Sequence, residues 1–269
     1  MRVPDDLPRR WRTYWPDADV ERMARDVEAR IGHAIAAWAL TGAQPLAGGH
    51  VGAVLATRDL VLKVSPRGHT DDVLVASQPA ALEHWRPTGI VPVLHGRRDD
   101  GFTYLMQRLR PGTTLDDAGL TFEDRLRTLG VLAARLHAAG PAPAAFVPLA
   151  DYAARWNPGA LATPRDDDVL LHADLHGGNV LRDGDGWKVV DPHAARGDRH
   201  ADVWALLDPL VRRSPTTRPP CVGSRSTPRP RPSSPTAPAP GCTCGQQARR
   251  ATSSRTTLRG PPGCDAWRR

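Results

Sequence analysis

The sequence has 269 residues, enough for one large domain or two small lobes. Its formal charge of +7 is misleading, because residues 211–269 contain 12 Arg and one acid, whereas residues 1–210 carry a net charge of −4. The body therefore has no basic surplus for a nucleic-acid backbone, and no apolar run is long enough for a membrane span. All four cysteines follow residue 210, so a Cys-free body predicts a soluble, cytoplasmic protein.

Periodic apolar residues predict the first helix at about 18–38, where Met23, Val27 and Ile31 recur at helical spacing. The polar, Pro-rich residues 1–16 predict an irregular lead-in. Further along this half, in chain order, we predict strands at Val51–Ala56 and Leu60–Val64 and then a broken helical segment at Asp71–Trp85, with Pro79–Trp85 as its regular helix. Strands at Ile90–Leu94 and Phe102–Leu109 follow around a turn at Asp99–Gly101.

In the second half, Thr121 is a typical N-cap for a long amphipathic helix that carries Leu129, Leu132 and Leu136 on one face. The remaining predicted elements are a short helix, a strand, a hairpin of two strands and a last helix: Leu149–Trp156, Val169–Leu171, Val180–Arg182 with Trp187–Val190, and Asp202–Leu210.

The character of the sequence changes at about Val211. The last 59 residues contain 11 Pro and 15 Ser or Thr, with very few large aliphatic residues. Such a segment buries too little apolar surface to offset the entropy of ordering, so we predict a disordered C-terminal tail. The simultaneous change in charge, Cys and Pro also suggests the hypothesis that the tail is read out of frame.

The most informative stretch is His-Ala-Asp-Leu-His-Gly-Gly-Asn at 172–179, which lies between two apolar strands. Asp174 and Asn179 are five residues apart on one tight loop, and Asp191 follows twelve residues after Asn179 at the end of a strand. Phosphoryl transfer needs a carboxylate that accepts the proton of the attacking hydroxyl, together with two oxygen ligands for Mg²⁺. These three side chains are candidates for those roles.

A second signal comes from lysine, since the sequence has 34 Arg and only two Lys. Lys63 lies inside an apolar strand after a Gly-rich turn that contains Gly48 and Gly49, where a strand lysine would reach nucleotide phosphates. Lys188 also lies in a strand, beside Asp191, and there we predict an outward, solvated side chain.

The loop motif, followed by Val-Asp-Pro, resembles the aminoglycoside phosphotransferase family. Trp187–Pro192, Gly197-Asp198 and Asp202-Val-Trp204 are most similar to its streptomycin and hydroxyurea kinase branch. The resemblance implies an α+β, bilobal, protein-kinase-like fold, with ATP between the two lobes. We expect an N-terminal lobe with an antiparallel sheet at 1–108, a mainly helical catalytic lobe at 109–210, and the tail at 211–269.

Carried over residue by residue, the resemblance implies Asp174 as catalytic base, and Asn179 and Asp191 as ligands of Mg²⁺. Lys63 would bind the phosphates, together with the turn at Gly48 and Gly49. The remaining implied roles are backbone contacts to adenine near Gln107 and Leu109, and support of the loop by His172 and Asp202. The acceptor would be a hydroxyl of an aminoglycoside-like antibiotic, so the expected function is that of a resistance kinase.

Several alternatives stay open from the sequence. A carboxylate is expected beside Lys63 on the first helix of the sheet lobe, but Gln78 falls at that position and Glu83 follows one turn late. The chain is alternatively a non-catalytic or degenerate nucleotide-binding remnant. A metal-dependent hydrolase built on His172, His176 and His193 is a weaker hypothesis, and nucleic-acid binding through the tail is weaker still.

Overall fold

The computed structural model describes residues 3–4, 6–46, 51–154, 165 and 167–203. Within these residues the chain forms α-helices, short 3₁₀ turns and mostly antiparallel strands. All of them belong to one compact unit, Met1–Arg213. The α-helices are α1 (Asp6–Tyr14), α2 (Val20–Ala37), α3 (Asp72–Trp85), α4 (Phe122–His137) and α5 (Leu149–Ala154).

The described strands form three sheets. The first five are β1 (Gln44–Pro45), β2 (Ala53–Ala56), β3 (Leu60–Val64), β4 (Leu94–Arg98) and β5 (Thr103–Gln107). The other six are β6 (Pro111–Thr114), β7 (Val147–Pro148), β8 (Val169–Leu171), β9 (Val180–Asp183), β10 (Gly186–Val189) and β11 (Ala195–Gly197).

The largest sheet is antiparallel, with strand order β1-β2-β3-β5-β4. Its register places Lys63 opposite Tyr104 and Val54. A second antiparallel sheet has the order β10-β9-β6, so the predicted hairpin of β9 and β10 is confirmed. In the third sheet β11 lies between β7, to which it is parallel, and β8, to which it is antiparallel.

The two long helices with clear periodicity are confirmed. The predicted helix at 18–38 is α2, in which the Asp19 side chain accepts a hydrogen bond from the Arg22 amide at 2.9 Å. Thr121 caps α4 by accepting from the Asp124 amide at 3.1 Å. In each helix a cap satisfies one of the free N–H groups of the first turn, and the apolar face is buried.

Two predictions about helices are wrong. Residues 6–14, expected to be irregular, form α1, because Leu7 and Trp11 lie one turn apart and both are buried. The segment Asp71–Trp85, expected to be broken with a regular helix only from Pro79, is one continuous helix from Asp72, so Pro79 lies inside α3. The missing N–H of Pro79 removes one helical bond, and the burial of the helix, which includes Leu82 and Trp85, offsets that loss.

The strand predicted at Ile90–Leu94 is also misplaced, since the strand itself is Leu94–Arg98. Ile90 and Val91 are apolar because they are buried as connecting chain in the core, not because they are paired in a sheet. The predicted turn at Asp99–Gly101 is confirmed as a 3₁₀ turn. The short strands β6 and β11 were not predicted at all.

Two clusters of buried apolar side chains form the core. One packs α1 and α2 against the first sheet and contains Trp11 and Met23. The other packs α3 and α4 against the strands β8 to β10 and contains Trp85 and Leu136. Tyr104 and Leu105, neighbours in β5, belong to different clusters, so alternate residues of this strand face the two cores.

The expected boundaries of the two lobes and the mainly helical character of the second remain predictions. The C-terminal tail and the part of the predicted last helix beyond Val203 lie outside the described residues. Among the helices that are described, none combines the length and apolar character that a membrane span needs.

Candidate functional site

The loop that follows β8 brings two of the predicted site residues into contact. The Asn179 side-chain amide donates to the Asp174 carbonyl oxygen at 2.9 Å and to its carboxylate Oδ2 at 3.1 Å. A 3₁₀ turn at Gly177–Asn179 closes the loop and makes this approach possible. Because the Asn179 Nδ2 group is used within the loop, its Oδ1 atom is the oxygen that remains for a ligand.

Asp191 lies beside this loop, because Val190 donates a backbone hydrogen bond to Asn179 at 2.9 Å. The Asp191 carboxylate pairs directly with the ammonium group of Lys63, a residue of β3 whose side chain is almost fully buried. The structure therefore brings Asp174, Asn179, Asp191 and Lys63 into one continuous cluster, although they come from segments up to 128 residues apart.

The Lys63 ammonium has a second partner, which settles the question that the sequence left open. It donates to the Gln78 Oε1 atom at 3.0 Å, and the same oxygen accepts from the Tyr104 hydroxyl at 3.1 Å. Glu83 instead lines a shallow pocket between α3 and β4, together with Leu94. The side chain beside Lys63 on α3 is thus a neutral amide.

Asp202 supports the loop from the last described turn. Its carboxylate accepts from the backbone amides of His172 at 3.1 Å and Ala173 at 2.8 Å, and it contacts His137 Nε2 at 2.8 Å. His172 is fully buried, contacts the Val190 carbonyl through Nε2 at 2.9 Å and stacks on Trp85. Burial lowers the pKa of His172, so its imidazole is neutral and donates to that carbonyl.

Strained backbone conformations are found at the same place. Ala173, Asp191 and Ala194 have φ angles of 59°, 58° and 51°, in the region that residues with a Cβ seldom adopt. Such residues persist when their surroundings hold them, and they are often found at functional sites. Ala173 directly precedes the predicted base Asp174, and Asp191 is itself a predicted metal ligand.

Two imidazoles face the Asp174 carboxylate, with His176 Nε2 at 3.7 Å and His193 Nε2 at 3.8 Å from Oδ2. Burial works to raise the pKa of Asp174, but the interaction with His176 and the charge of His193 lower it below the ordinary value. Asp174 is therefore ionised at neutral pH.

His176 also stabilises the loop. Its Nδ1 atom accepts from the Gly178 amide at 3.1 Å, which leaves the ring proton on Nε2, facing Asp174. Burial lowers the pKa of His176, but the nearby carboxylates, Asp174 first, raise it by more, so this pKa lies above its ordinary value. The Gly178 amide at Nδ1 works against protonation. We assign the neutral form, because an amide N–H cannot donate to a protonated Nδ1.

The predicted adenine-binding segment lies at the end of β5. The Gln107 side chain donates to Asp183 Oδ2 at 3.2 Å and accepts from Lys188 Nζ at 3.3 Å. Lys188 is mostly buried here, so the prediction of an outward, solvated side chain is wrong. None of the hydrogen bonds among the described residues uses the amide N–H of Leu109, which leaves that donor for a ligand.

The Gly-rich turn is described only from Val51 onward, so Gly48 and Gly49 lie outside the described residues. Gly52 lies close to Lys63, the candidate phosphate ligand. A Cβ at this position would lie 3.3 Å from Lys63 Cε and 2.9 Å from Ser65 Oγ. A side chain at Gly52 would therefore displace the lysine.

Three side chains that contact the site residues were not predicted to do so: Tyr104, Tyr152 and His193, which faces the Asp174 carboxylate. Tyr152 donates to the Ala173 carbonyl at 3.1 Å and contacts His193 Nδ1 at 3.0 Å. Nothing in the local sequence around Tyr104 or Tyr152 indicates such contacts, because both depend on partners more than 20 residues away.

The side chains of the site include oxygen donors for a metal ion. No group of three or more His, Cys, Asp or Glu side chains among the described residues could hold one alone. The Asp191 carboxylate and Asn179 Oδ1 are hard oxygen donors on adjacent chain segments, as Mg²⁺ prefers. They fit a Mg²⁺ ion that takes its remaining ligands from phosphate and water.

Comparisons with known proteins bear on the fold. No protein-family model matches this sequence, and no curated protein matches it significantly. Among solved structures, the chain is similar to a choline kinase from Streptococcus pneumoniae, with 14% identity, a TM-score of 0.50, and coverage of 66% of this chain and 73% of that one.

Two other similar structures have lower TM-scores. A choline/ethanolamine kinase family protein from Mesorhizobium loti has 15% identity, 66% and 69% coverage, and a TM-score of 0.45. A macrolide 2'-phosphotransferase from Brachybacterium faecium has 20% identity, 66% and 76% coverage, and a TM-score of 0.41. At such identities the likeness concerns the fold alone, and the two structures with the lower TM-scores add no argument.

Proposed function

We propose that this protein is an ATP-dependent phosphotransferase that moves the γ-phosphoryl group to a hydroxyl of a small polar acceptor. The observation that carries the proposal is the convergence of Asp174, Asn179, Asp191 and Lys63 in one cluster. We also propose the bilobal arrangement, with ATP between the sheet of residues 1–108 and the segment 172–191.

Asp174 would act as the base. Asn179 holds its Oδ2 atom, and among the described residues no hydrogen bond uses Oδ1, which leaves that oxygen for the acceptor hydroxyl. Because its pKa is lowered, the carboxylate is ionised at neutral pH. It can take the hydroxyl proton as the new O–P bond forms and the bond from the γ-phosphorus to the bridging oxygen breaks, with ADP as the leaving group. His176 and Asn179 would hold the carboxylate in position during this step.

Asn179 Oδ1 and the Asp191 carboxylate would hold Mg²⁺. When bound, the ion neutralises phosphate charge and orients the γ-phosphoryl group. The positive φ of Asp191 aims its carboxylate back toward β3, where Lys63 would bind phosphate oxygens. At the other end of the nucleotide, the Leu109 amide and the Gln107 carbonyl would bind the adenine edge, because Asp183 and Lys188 fix this segment.

We propose an aminoglycoside-like antibiotic as the acceptor, which would make the protein a resistance kinase. This part rests on the motif similarity to the streptomycin and hydroxyurea kinase branch. Asp116, a half-exposed carboxylate packed against Gly177 at this edge of the site, pairs with Arg125 at 3.0 Å, so it adds little negative charge for a cationic acceptor.

The test is an ATP-consumption screen of the full chain against aminoglycosides, hydroxyurea and small alcohols. Asp174→Asn should abolish transfer, a loss of about 10²-fold or more, while it leaves Mg·ATP binding nearly unchanged in a thermal-shift assay. Asp185→Asn, an exposed change in the β9–β10 turn, is the matched control and should keep full activity. Full transfer by Asp174→Asn would exclude Asp174 as the base. Stabilisation by Mg·ATP with no product from any acceptor would instead support a nucleotide-binding protein without transferase activity.

A further inference from the structure

The buried ammonium of Lys63 has an unusual charge environment. Among the described residues, Asp191 is the one carboxylate that pairs with it. Its other partner, Gln78 Oε1, is uncharged. Lys63 can only donate hydrogen bonds, so the oxygen of the Gln78 side chain must face it and not the amide nitrogen.

Tyr104 does not change this balance. Burial, and then the charge of Asp191, raise the pKa of the Tyr104 hydroxyl well above its ordinary value, so the phenol stays neutral. It donates to the same Gln78 oxygen, which fixes the amide in its orientation. Lys63, Gln78 and Tyr104 are all buried, and their hydrogen bonds therefore act in a medium of low polarity.

This charge balance ties the Asp191 carboxylate to Lys63. Since Gln78 supplies no negative charge, the Asp191 carboxylate is the only counter-ion that the described part of the chain gives this buried cation. One of its oxygens is held by Lys63. That carboxylate is the same group that the proposed function assigns to the metal ion. A divalent cation on its own would therefore have to compete with Lys63 for Asp191.

A phosphate removes this competition. Two of the three N–H groups of Lys63 are used, by Gln78 and Asp191, and the third can bind a phosphate oxygen. The negative charge of the phosphate then replaces that of Asp191 as counter-ion, and Asp191 becomes available to the metal. Removing Lys63 from Asp191 without a replacement would leave a buried cation unpaired, which is strongly unfavourable.

We propose that Gln78 is a positioning residue that couples metal binding to phosphate binding. By leaving Lys63 with Asp191 as its only charged partner within the described segments, it makes the Asp191–Asn179 site take up a divalent cation together with a nucleotide and not before it. This inference rests on the proposed function, because it concerns the same site.

The experiment measures Mn²⁺ binding to the full chain, with and without ADP, by the loss of the electron paramagnetic resonance signal of free Mn²⁺. The unmodified protein should bind Mn²⁺ at least about tenfold more tightly with ADP than without it. Gln78→Glu places a carboxylate beside Lys63 and should tighten the binding of Mn²⁺ alone by about tenfold, with much less change in the presence of ADP.

Three controls separate charge at this position from other effects. Gln78→Met is neutral and should not tighten the binding of Mn²⁺ alone. Val73→Glu adds the same charge at an exposed position of the same helix and should have no effect. Lys63→Met frees Asp191 directly and should tighten the binding of Mn²⁺ alone, which keeps the test valid even if Gln78→Glu does not fold.

The outcomes distinguish this inference from the function on which it rests. If Mn²⁺ binds equally tightly with and without ADP, or if neither Gln78→Glu nor Lys63→Met changes its binding, the coupling role of Gln78 is wrong while the phosphotransferase proposal stands. If the unmodified protein binds no ADP under any condition, the proposed function fails, and the coupling fails with it.

Discussion

The contribution of Asp202 to stability can be worked out from its contacts. Its buried carboxylate accepts from two backbone amides, those of His172 and Ala173, and contacts the His137 ring. In Asp202→Ala, the buried amide of His172 and the partly buried amide of Ala173 lose their acceptor, at about 1–3 kcal/mol each. We expect the free energy of unfolding to fall by about 4 kcal/mol, a large part of the roughly 5–15 kcal/mol of a typical domain.

Asp202→Asn gives a graded version of the same test. Its remaining oxygen can still accept from one of the two amides, but its NH₂ group would face the other N–H, so a loss of about 2 kcal/mol is expected. Equilibrium unfolding in urea measures both values. Amide hydrogen exchange of the peptide that contains His172 and Ala173 should become faster in both variants, because the loop loses its anchor.

The matched control is Asp185→Ala, which removes an exposed carboxylate from the β9–β10 turn and should change stability by less than about 0.5 kcal/mol. The reasoning would be refuted if Asp202→Ala and Asp185→Ala unfolded with the same free energy. It would also fail if exchange at the loop were unchanged, since the carboxylate would then hold neither amide.

The remaining predictions concern pH and glycine. Burial lowers the pKa of His69 and His172, so the unfolded chain binds more protons than the folded one below about pH 6.5, and stability is lost as the pH falls below that value. Urea unfolding at several pH values should show this slope, about 1.4 kcal/mol per pH unit for each histidine. His69→Gln should flatten the slope, whereas the control His33→Gln, at an exposed position, should not. Gly101→Ala and Gly119→Ala both place a Cβ at positive φ, but only at Gly101 would it collide with a backbone carbonyl of α3. We expect a loss of about 1 kcal/mol for Gly119→Ala and a clearly larger one for Gly101→Ala in the same urea assay; equal losses would contradict the close approach.

Local signals in the sequence explain why some elements were predictable. The helices α2 and α4 have caps and long apolar faces, and the β9–β10 hairpin has two apolar strands around a Gly-rich turn. The short strands β6 and β11 offer no such signal. Each of them exists because a distant partner pairs with it, as β9 does with β6 and β8 with β11.

The candidate site was predictable to the extent that its residues are close in sequence. Asp174, Asn179 and Asp191 fall within eighteen positions of one another, and their spacing alone indicated a shared centre. The choice of partner for Lys63 was narrowed to Gln78 or Glu83 by the resemblance, and spacing alone could not decide between them. Gln78 reaches it because α3 begins at Asp72 and runs through Pro79, whereas the sequence rules on proline predicted a later start.

Backbone strain and charge coincide at this site in a way that bears on its chemistry. A non-glycine residue at positive φ costs about 1–3 kcal/mol, so it needs a compensating interaction. Ala173 receives one because its amide donates to the Asp202 carboxylate, and Asp191 receives one because its carboxylate pairs with Lys63. In both cases the compensating group is a buried charge more than 25 residues away. The conformations that aim the loop and Asp191 at one point therefore depend on contacts from distant parts of the fold, and the sequence of the loop alone does not specify them.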